Sequence, residues 1–205
     1  MLFKKKKRGI ALGGGGVRGL ASLGVLKVLH RIDRVPDIIS GTSMGAIVGA
    51  LYAYYEDPEK VEEKIRDIKN SSSFKFLTEE FNRNLKKAEQ GSSASISKRV
   101  KDGYNRIYTI NKLTTECSII EKKFIDPVIE EIIPDISVEN LPKKLYISCI
   151  DINNANKKVI DSGSLQEAVK ASTAIPGILP PVEFEGRLLV DGGNLSLVPV
   201  EELKA

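Results

Sequence analysis

Short apolar runs closed by glycine or small polar residues alternate along the chain with longer stretches whose apolar positions recur at helical spacing. Residues 8–12 form the first strand candidate; beyond a run of glycines, Leu20, Leu23, Val25, Leu26 and Leu29 mark a helix. Residues 37–40 predict a buried strand, and 44–55, rich in alanine and glycine and apolar nearly all round, a buried helix. Asp57-Pro58-Glu59 opens another helix, with proline in its first turn and Val61, Ile65 and Ile68 on its apolar face. Residues 70–113 are polar and read as an insertion of short surface helices around a loose loop at 90–97. An amphipathic stretch at 115–133 carries Cys117, Ile120, Phe124, Val128 and Ile132, with Pro127 expected to kink or split it and Pro134 to end it. Residues 144–151 make a strong strand, 153–156 a turn, and 157–161 a returning strand. Ser164 with Glu167 forms a capping box for a helix over 165–174. A last short strand at 187–190 delivers Asp191-Gly192-Gly193.

Chemistry concentrates where three of these strands end. Gly41-Thr42-Ser43-Met44-Gly45 is a Gly-x-Ser-x-Gly turn between strand and helix. Such a turn strains the serine backbone and aims the hydroxyl at a helix N-terminus, as a nucleophile requires. The same small residues would also serve a turn whose only demand is close packing. Gly14, Gly16 and Gly19 satisfy Gly-x-Gly-x-x-Gly, with Asp33 and Asp37 near where a ribose-binding acid falls, so a nucleotide-binding module is one alternative. The other is an oxyanion hole built from converging backbone N–H groups. A serine nucleophile needs a base. The chain has one histidine, His30, which ends the first helix ahead of Ser43 and does not fit the order of the α/β-hydrolase triad. Asp191 follows an apolar strand, as Ser43 does, and two glycines behind it let another backbone approach. As a bare pattern, Asp-Gly-Gly is equally a β-turn.

Composition narrows the field. With 205 residues, 41% of them hydrophobic, the chain suits one domain with a sizeable core. The formal net charge is +4, yet Lys4-Lys5-Lys6-Lys7-Arg8 alone contributes +5, so the body is near neutral and offers no nucleic-acid-binding face. Residues 1–8 read as a basic tail able to touch anionic membrane weakly and in a salt-sensitive way, and 9–205 as the domain. The glycines and Arg18 interrupt what would otherwise imitate a signal peptide, and no stretch is long and apolar enough to span a bilayer. Cys117 and Cys149 are too few for a disulfide framework or metal cluster; no cofactor or metal is expected, and the cytoplasm is the expected compartment.

Taken in order, Gly14-Gly15-Gly16-Val17-Arg18-Gly19, Gly41-Thr42-Ser43-Met44-Gly45 and Asp191-Gly192-Gly193 resemble the three signature blocks of the patatin-like phospholipase family. The stretch at 168–181 resembles the family's segment before its aspartate. The resemblance spans nearly the whole chain and is weakest at 70–113. It implies an α/β, mostly parallel sheet covered by helices in the three-layer patatin-like fold, and hydrolysis of lipid acyl esters by a Ser–Asp dyad. Ser43 would then be the nucleophile and Asp191 its base. Gly14, Gly15 and Gly16 would form the oxyanion hole, with Gly15 and Gly16 its main donors, while Arg18, Gly41, Gly45, Gly192 and Gly193 support the motifs. Two departures stand out. Leu197 occupies a position where the family usually carries a polar residue, so Asp191 is expected to be held differently. The chain also stops at Ala205, where the family usually continues with at least one more strand and helix. Either the domain is truncated there or another subunit completes the sheet, and an unpaired edge or apolar patch with self-association (a homo-oligomer) or marginal stability is expected. A catalytically silent interaction protein on the same fold is the further alternative.

Overall fold

A computed structural model describes residues 7–90 and 118–204; residues 4–6 of the basic run, Cys117 and the stretch 91–113 of the polar insertion lie outside them. Three strands, β1 (Gly9–Leu12), β2 (Ile38–Gly41) and β3 (Lys144–Asp151), pair in parallel, with Leu12 level with Gly41 and Gly41 level with Ile147. β4 (Asn156–Ile160) and β6 (Arg187–Asp191) pair antiparallel with β3, and β5 (Val182–Phe184) pairs antiparallel with β6. The sheet is therefore mixed: a parallel half and an antiparallel half share β3.

This arrangement brings the motifs together. β2 ends at Gly41 opposite Ile147, and β6 ends at Asp191 opposite Cys149. The two strand ends lie two residues apart on the β3 register, or roughly 7 Å along the strand. Parallel β1 ends at the same level and opens into the glycine loop.

Alternation along the strands assigns the two faces. Leu12, Ile39 and Leu145 point at α2 (Met44–Tyr55) and surround its Gly49, where an added Cβ would lie 3.2 Å from Ile39 and 3.3 Å from Leu145. Helices α1 (Ala21–Arg31), α3 (Pro58–Asn70) and α6 (Leu165–Thr173) join that layer. Gly9, Ser40 and Ser148 point the other way and carry the C-terminal segment. There Leu203 packs on Gly9, Ser40 Oγ donates to Pro199 O at 2.5 Å, and Ser148 Oγ donates to Glu202 Oε1 at 3.4 Å. Helices, sheet and C-terminal segment are the three layers of the α/β fold read from the sequence.

Local chemistry explains the element ends. Asp57 caps α3, accepting from Glu59 N–H at 2.9 Å, with Pro58 at the first helical position. Ser164 caps α6 and accepts from Glu167 N–H at 3.3 Å. α4 (Ser72–Gln90) is one 19-residue helix where the sequence pattern predicts short ones. α5 (Lys122–Ile132) runs through Pro127 without splitting. The ring lies on the exposed side, and Phe124, Val128, Ile129 and Ile132 hold the buried face across it. Lys170 of α6 is buried and tied to Glu130 of α5 and to Glu167, both at 2.8 Å, which locks these two helices together. The sequence pattern does not predict β5; it pairs with β6 through a two-residue turn, Glu185-Gly186, with φ of 50° and 71°.

Glycine is obligatory where α2 enters. A Cβ on Gly41 would lie 2.5 Å from Gly45 O, and one on Gly45 would run into the Leu12 carbonyl. Gly24, on the outer side of α1, has open space around it. Gly45→Ala should therefore lower stability by about 3 kcal/mol or more through backbone overpacking. Gly24→Ala should raise it by about 0.5–1 kcal/mol through helix propensity. Urea unfolding of the two variants beside the parent checks both signs.

Candidate active site

The serine turn is built by packing. Leu12 O accepts Thr42 N–H at 3.2 Å, and the absence of side chains at Gly41 and Gly45 lets α2 start directly against β1 and β2. Ser43, at the N-cap of α2, is thereby forced to φ 55°, ψ −123°, a conformation that costs a non-glycine residue of order 1–3 kcal/mol. Two further contacts hold it. Ser43 N–H donates to Ser172 Oγ at 3.0 Å, and Ser172 Oγ in turn donates to Ser148 O at 2.8 Å. Ser43, Ser148 and Ser172 are all buried.

Asp191 meets this serine. The Ser43 hydroxyl lies near enough to its carboxylate to lower the carboxylate's pKa, Oδ1 accepts the Gly193 N–H at 2.7 Å, and the Asp191 N–H donates to Ala174 O at 3.0 Å. Burial pushes its pKa above the ordinary carboxylate value, and the neighbouring Ser43 hydroxyl and the Gly193 N–H offset this only in part. Gly192 lies so close to β3 that a Cβ would sit 2.6 Å from Ser148 O. Cys149, level with Asp191, is fully buried and its thiol pKa is pushed well up, mainly by burial and then by the Asp191 charge. It is an inert packing residue.

The glycine loop faces this pair. A Cβ on Gly14 would be 3.1 Å from Ser43 Cβ. Gly15 and Gly16 are exposed, with φ of 118° and 58° and nothing within 4 Å of an added Cβ, and they lead into the 3-10 turn Gly16–Leu20. The Gly14 N–H donates to Leu197 O at 2.9 Å, which holds the glycine loop against the C-terminal segment. Arg18 lies exposed in the 3-10 turn, and its carbonyl accepts the Ala21 N–H.

One segment ties the three motifs, and its role is not legible in the sequence. Leu195 N–H and Ser196 N–H donate to Gly192 O, Ser196 O accepts Thr42 Oγ1 at 2.8 Å, Leu197 O accepts Gly14 N–H, and Pro199 O accepts Ser40 Oγ. Leu197 takes part through its backbone, so the loss of a polar side chain there leaves this tie intact. Glu202 anchors the segment from beneath: Oε1 accepts from Ser196 Oγ at 3.1 Å and pairs with Lys157 at 3.0 Å, while buried Oε2 has no partner among the described residues. Burial raises its pKa, but Lys157 and the other donors outweigh that and hold it below the usual range. Ser172 is a second functional residue that sequence reasoning does not single out. Its signal is a hydroxyl placed within the apolar stripe Leu165, Ala168, Val169 of its helix.

His30 is elsewhere. Its Nε2 lies 2.6 Å from the hydroxyl of buried Tyr52, nine residues along α2 from Ser43 and so roughly 13 Å down the helix. Burial, with the Glu56 charge, pushes Tyr52 up to about 12, and His30 serves as its hydrogen-bond partner. The Asp37 carboxylate accepts the Arg8 N–H and the Asp33 backbone carbonyl accepts from the Arg8 guanidinium, which places both residues at the start of β1, the end opposite the glycine loop, away from any nucleotide bound there. Among the described residues no group of His, Cys, Asp and Glu is arranged to hold a metal ion, and no helix is long and apolar enough to cross a membrane.

Comparison with known proteins identifies the family. The family model "Patatin-like phospholipase" matches residues 10–204. The chain is 30% identical over 196 residues to the lysophospholipase NTE1 of Lodderomyces elongisporus, covering 96% of this chain and 12% of that protein. It is 29% identical to NTE1 of Candida albicans over 96% of this chain and 12% of the relative. Among solved structures, VipD from Legionella pneumophila superposes with a TM-score of 0.55 at 18% identity, over 96% of this chain and 47% of that one. The chain belongs to the patatin-like phospholipase family. It spans about one-eighth of the length of the NTE1 relatives it matches.

Ionised Asp191 carries a desolvation cost, so folding favours its protonated form. Folded protein should therefore lose stability relative to Asp191→Asn as pH rises from the unfolded aspartate value of about 3.9 through the higher folded value. Chemical denaturation of both proteins between pH 3.5 and 8 measures the difference; a constant gap across about that range would contradict it.

Proposed function

We propose that the protein is a serine acyl hydrolase of lipid esters, working through a Ser43–Asp191 dyad. The observation that carries this is a buried carboxylate beside a serine at a strained strand-to-helix turn, with the chain's one histidine far along the helix. The phospholipase family and the relatives' name, lysophospholipase, support carboxylic esters of glycerophospholipids as the substrate class.

Ser43 Oγ attacks the ester carbonyl carbon as its proton passes to the Asp191 carboxylate. Negative charge develops on the carbonyl oxygen, and the exposed Gly15 and Gly16 N–H groups, with the N-terminal end of α2, oppose it. The carbonyl re-forms, the C–O bond to the alcohol breaks, and Asp191 returns its proton to the departing alkoxide. Water then attacks acyl-Ser43, giving its proton to Asp191. When the second tetrahedral species collapses, that proton returns to Ser43 and the fatty acid leaves. The raised pKa of Asp191 suits this exchange, because it makes the carboxylate a better base than an ordinary aspartate at neutral pH.

Ser43→Ala should abolish hydrolysis of a p-nitrophenyl ester in protein whose circular dichroism is unchanged. Asp191→Asn should lower turnover by about 10²–10⁴-fold, while His30→Gln should change it little. The acid limb of kcat/KM should lie above the ordinary aspartate value of about 3.9 and should not move in His30→Gln. Full activity in folded Ser43→Ala would falsify the dyad, and a folded parent without esterase or lysophospholipase turnover would favour the catalytically silent alternative.

A further inference from the structure

The outer side of the first helix carries an apolar stripe that nothing among the described residues covers. Val17, Val25, Val28 and Ile32 are 78%, 51%, 49% and 57% exposed, and Ala21 and Gly24 are exposed between them. The positions 17, 21, 24, 25, 28 and 32 follow one another at helical spacing from the 3-10 turn to the end of α1, over roughly 20 Å. The buried side of the same helix is supplied by Leu23 and Leu26, so the stripe is a second apolar face, superfluous to the core. It starts at Val17, the residue after Gly16 of the loop that faces Ser43.

Charge completes the pattern. No acidic residue occurs before Asp33, while Arg18, Arg31 and Arg34 are exposed; on the helical projection Arg18 and Arg31 fall at the two margins of the stripe. Glu59 and Glu62 of neighbouring α3 are ion-paired with Lys27 of α1. An uncovered aliphatic face with cationic margins, continuous with the glycine loop, fits a phospholipid surface: aliphatic side chains enter the acyl boundary while guanidinium groups meet phosphates. Leu197, 54% exposed, lies against Gly14 and Gly193 on the other side of the loop and extends the apolar rim around Ser43.

We infer that the Val17–Val25–Val28–Ile32 face of α1 is a lipid-surface docking site that seats the protein with its glycine loop at the bilayer, ahead of and separate from the basic N-terminal tail. This rests on the lipid-substrate reading of the site above, but binding is measured without turnover.

The full chain carrying Ser43→Ala is floated with vesicles of phosphatidylcholine alone and of phosphatidylcholine with phosphatidylglycerol. It should float with both, more strongly with the anionic mixture. Val25→Asp with Val28→Asp should reduce the bound fraction about tenfold or more. With Ser43 present, the same pair should slow hydrolysis of vesicle-embedded lysophospholipid and leave turnover of a soluble p-nitrophenyl ester unchanged. The chain has no tryptophan, so Val28→Trp supplies a single reporter that keeps the face apolar. Its emission should shift to the blue with vesicles and be quenched by brominated acyl chains. Flotation that persists in the Asp pair, a tryptophan emission that does not respond to vesicles, or binding lost only on removal of residues 1–6 would each overturn the docking face. So would a dimer that dissociates in the Asp pair while vesicle binding is unchanged, since a second copy would then own the stripe. Loss of flotation in the Asp pair with no esterase activity in the parent would keep the docking face and reject the hydrolase reading.

Discussion

The entry of α2 against β1 and β2 is the constraint on which the rest depends. Helix and strands meet at a separation that no Cβ at Gly41 or Gly45 could share, and the chain can make that turn only with Ser43 at positive φ. The strain is offset locally by the Ser43–Ser172–Ser148 relay, which satisfies the Ser43 N–H inside the protein. A buried relay of this kind fixes direction as well as energy: the serine backbone cannot relax without leaving a donor unpaired.

The two halves of the sheet give that strain its use. β3 pairs in parallel with the strand that leads to Ser43 and antiparallel with the strand that ends at Asp191, so residues 148 positions apart in the chain meet over one strand. The segment from Leu195 to Pro199 then binds all three loops through backbone carbonyls and N–H groups. Because those bonds come from the main chain, residue 197 can change from polar to apolar without loosening the loops. The freed side chain becomes part of the apolar rim instead.

Electrostatics and surface chemistry point the same way. The same desolvation that makes Asp191 costly to ionise also raises its basicity, in keeping with the proposed role. Outside, α1 keeps an aliphatic face that folding does not need, beside the loop that an acyl ester would have to reach. A protein built only for stability would place polar residues there.

Much of this was legible in the sequence because it follows from local rules. Glycines at 41 and 45 around Ser43, an apolar run into Asp191, the caps at Asp57 and Ser164, and the three ordered motifs all announce themselves within a few residues. What required the tertiary structure was set by partners far away in the chain. The strand Val182–Phe184 is too short to be read alone and exists because β6 pairs with it. α5 passes Pro127 because packing on its buried face outweighs one lost hydrogen bond. The bond from Gly14 N–H to Leu197 O joins residues far apart in the chain, and Ser172 reads as one more small residue on a helix until it reaches Ser43 and Ser148. Sequence determined which residues are candidates for chemistry and at which strand ends they lie; the fold decided which backbone groups are already bonded, because hydrogen-bond partners are allotted by long-range packing.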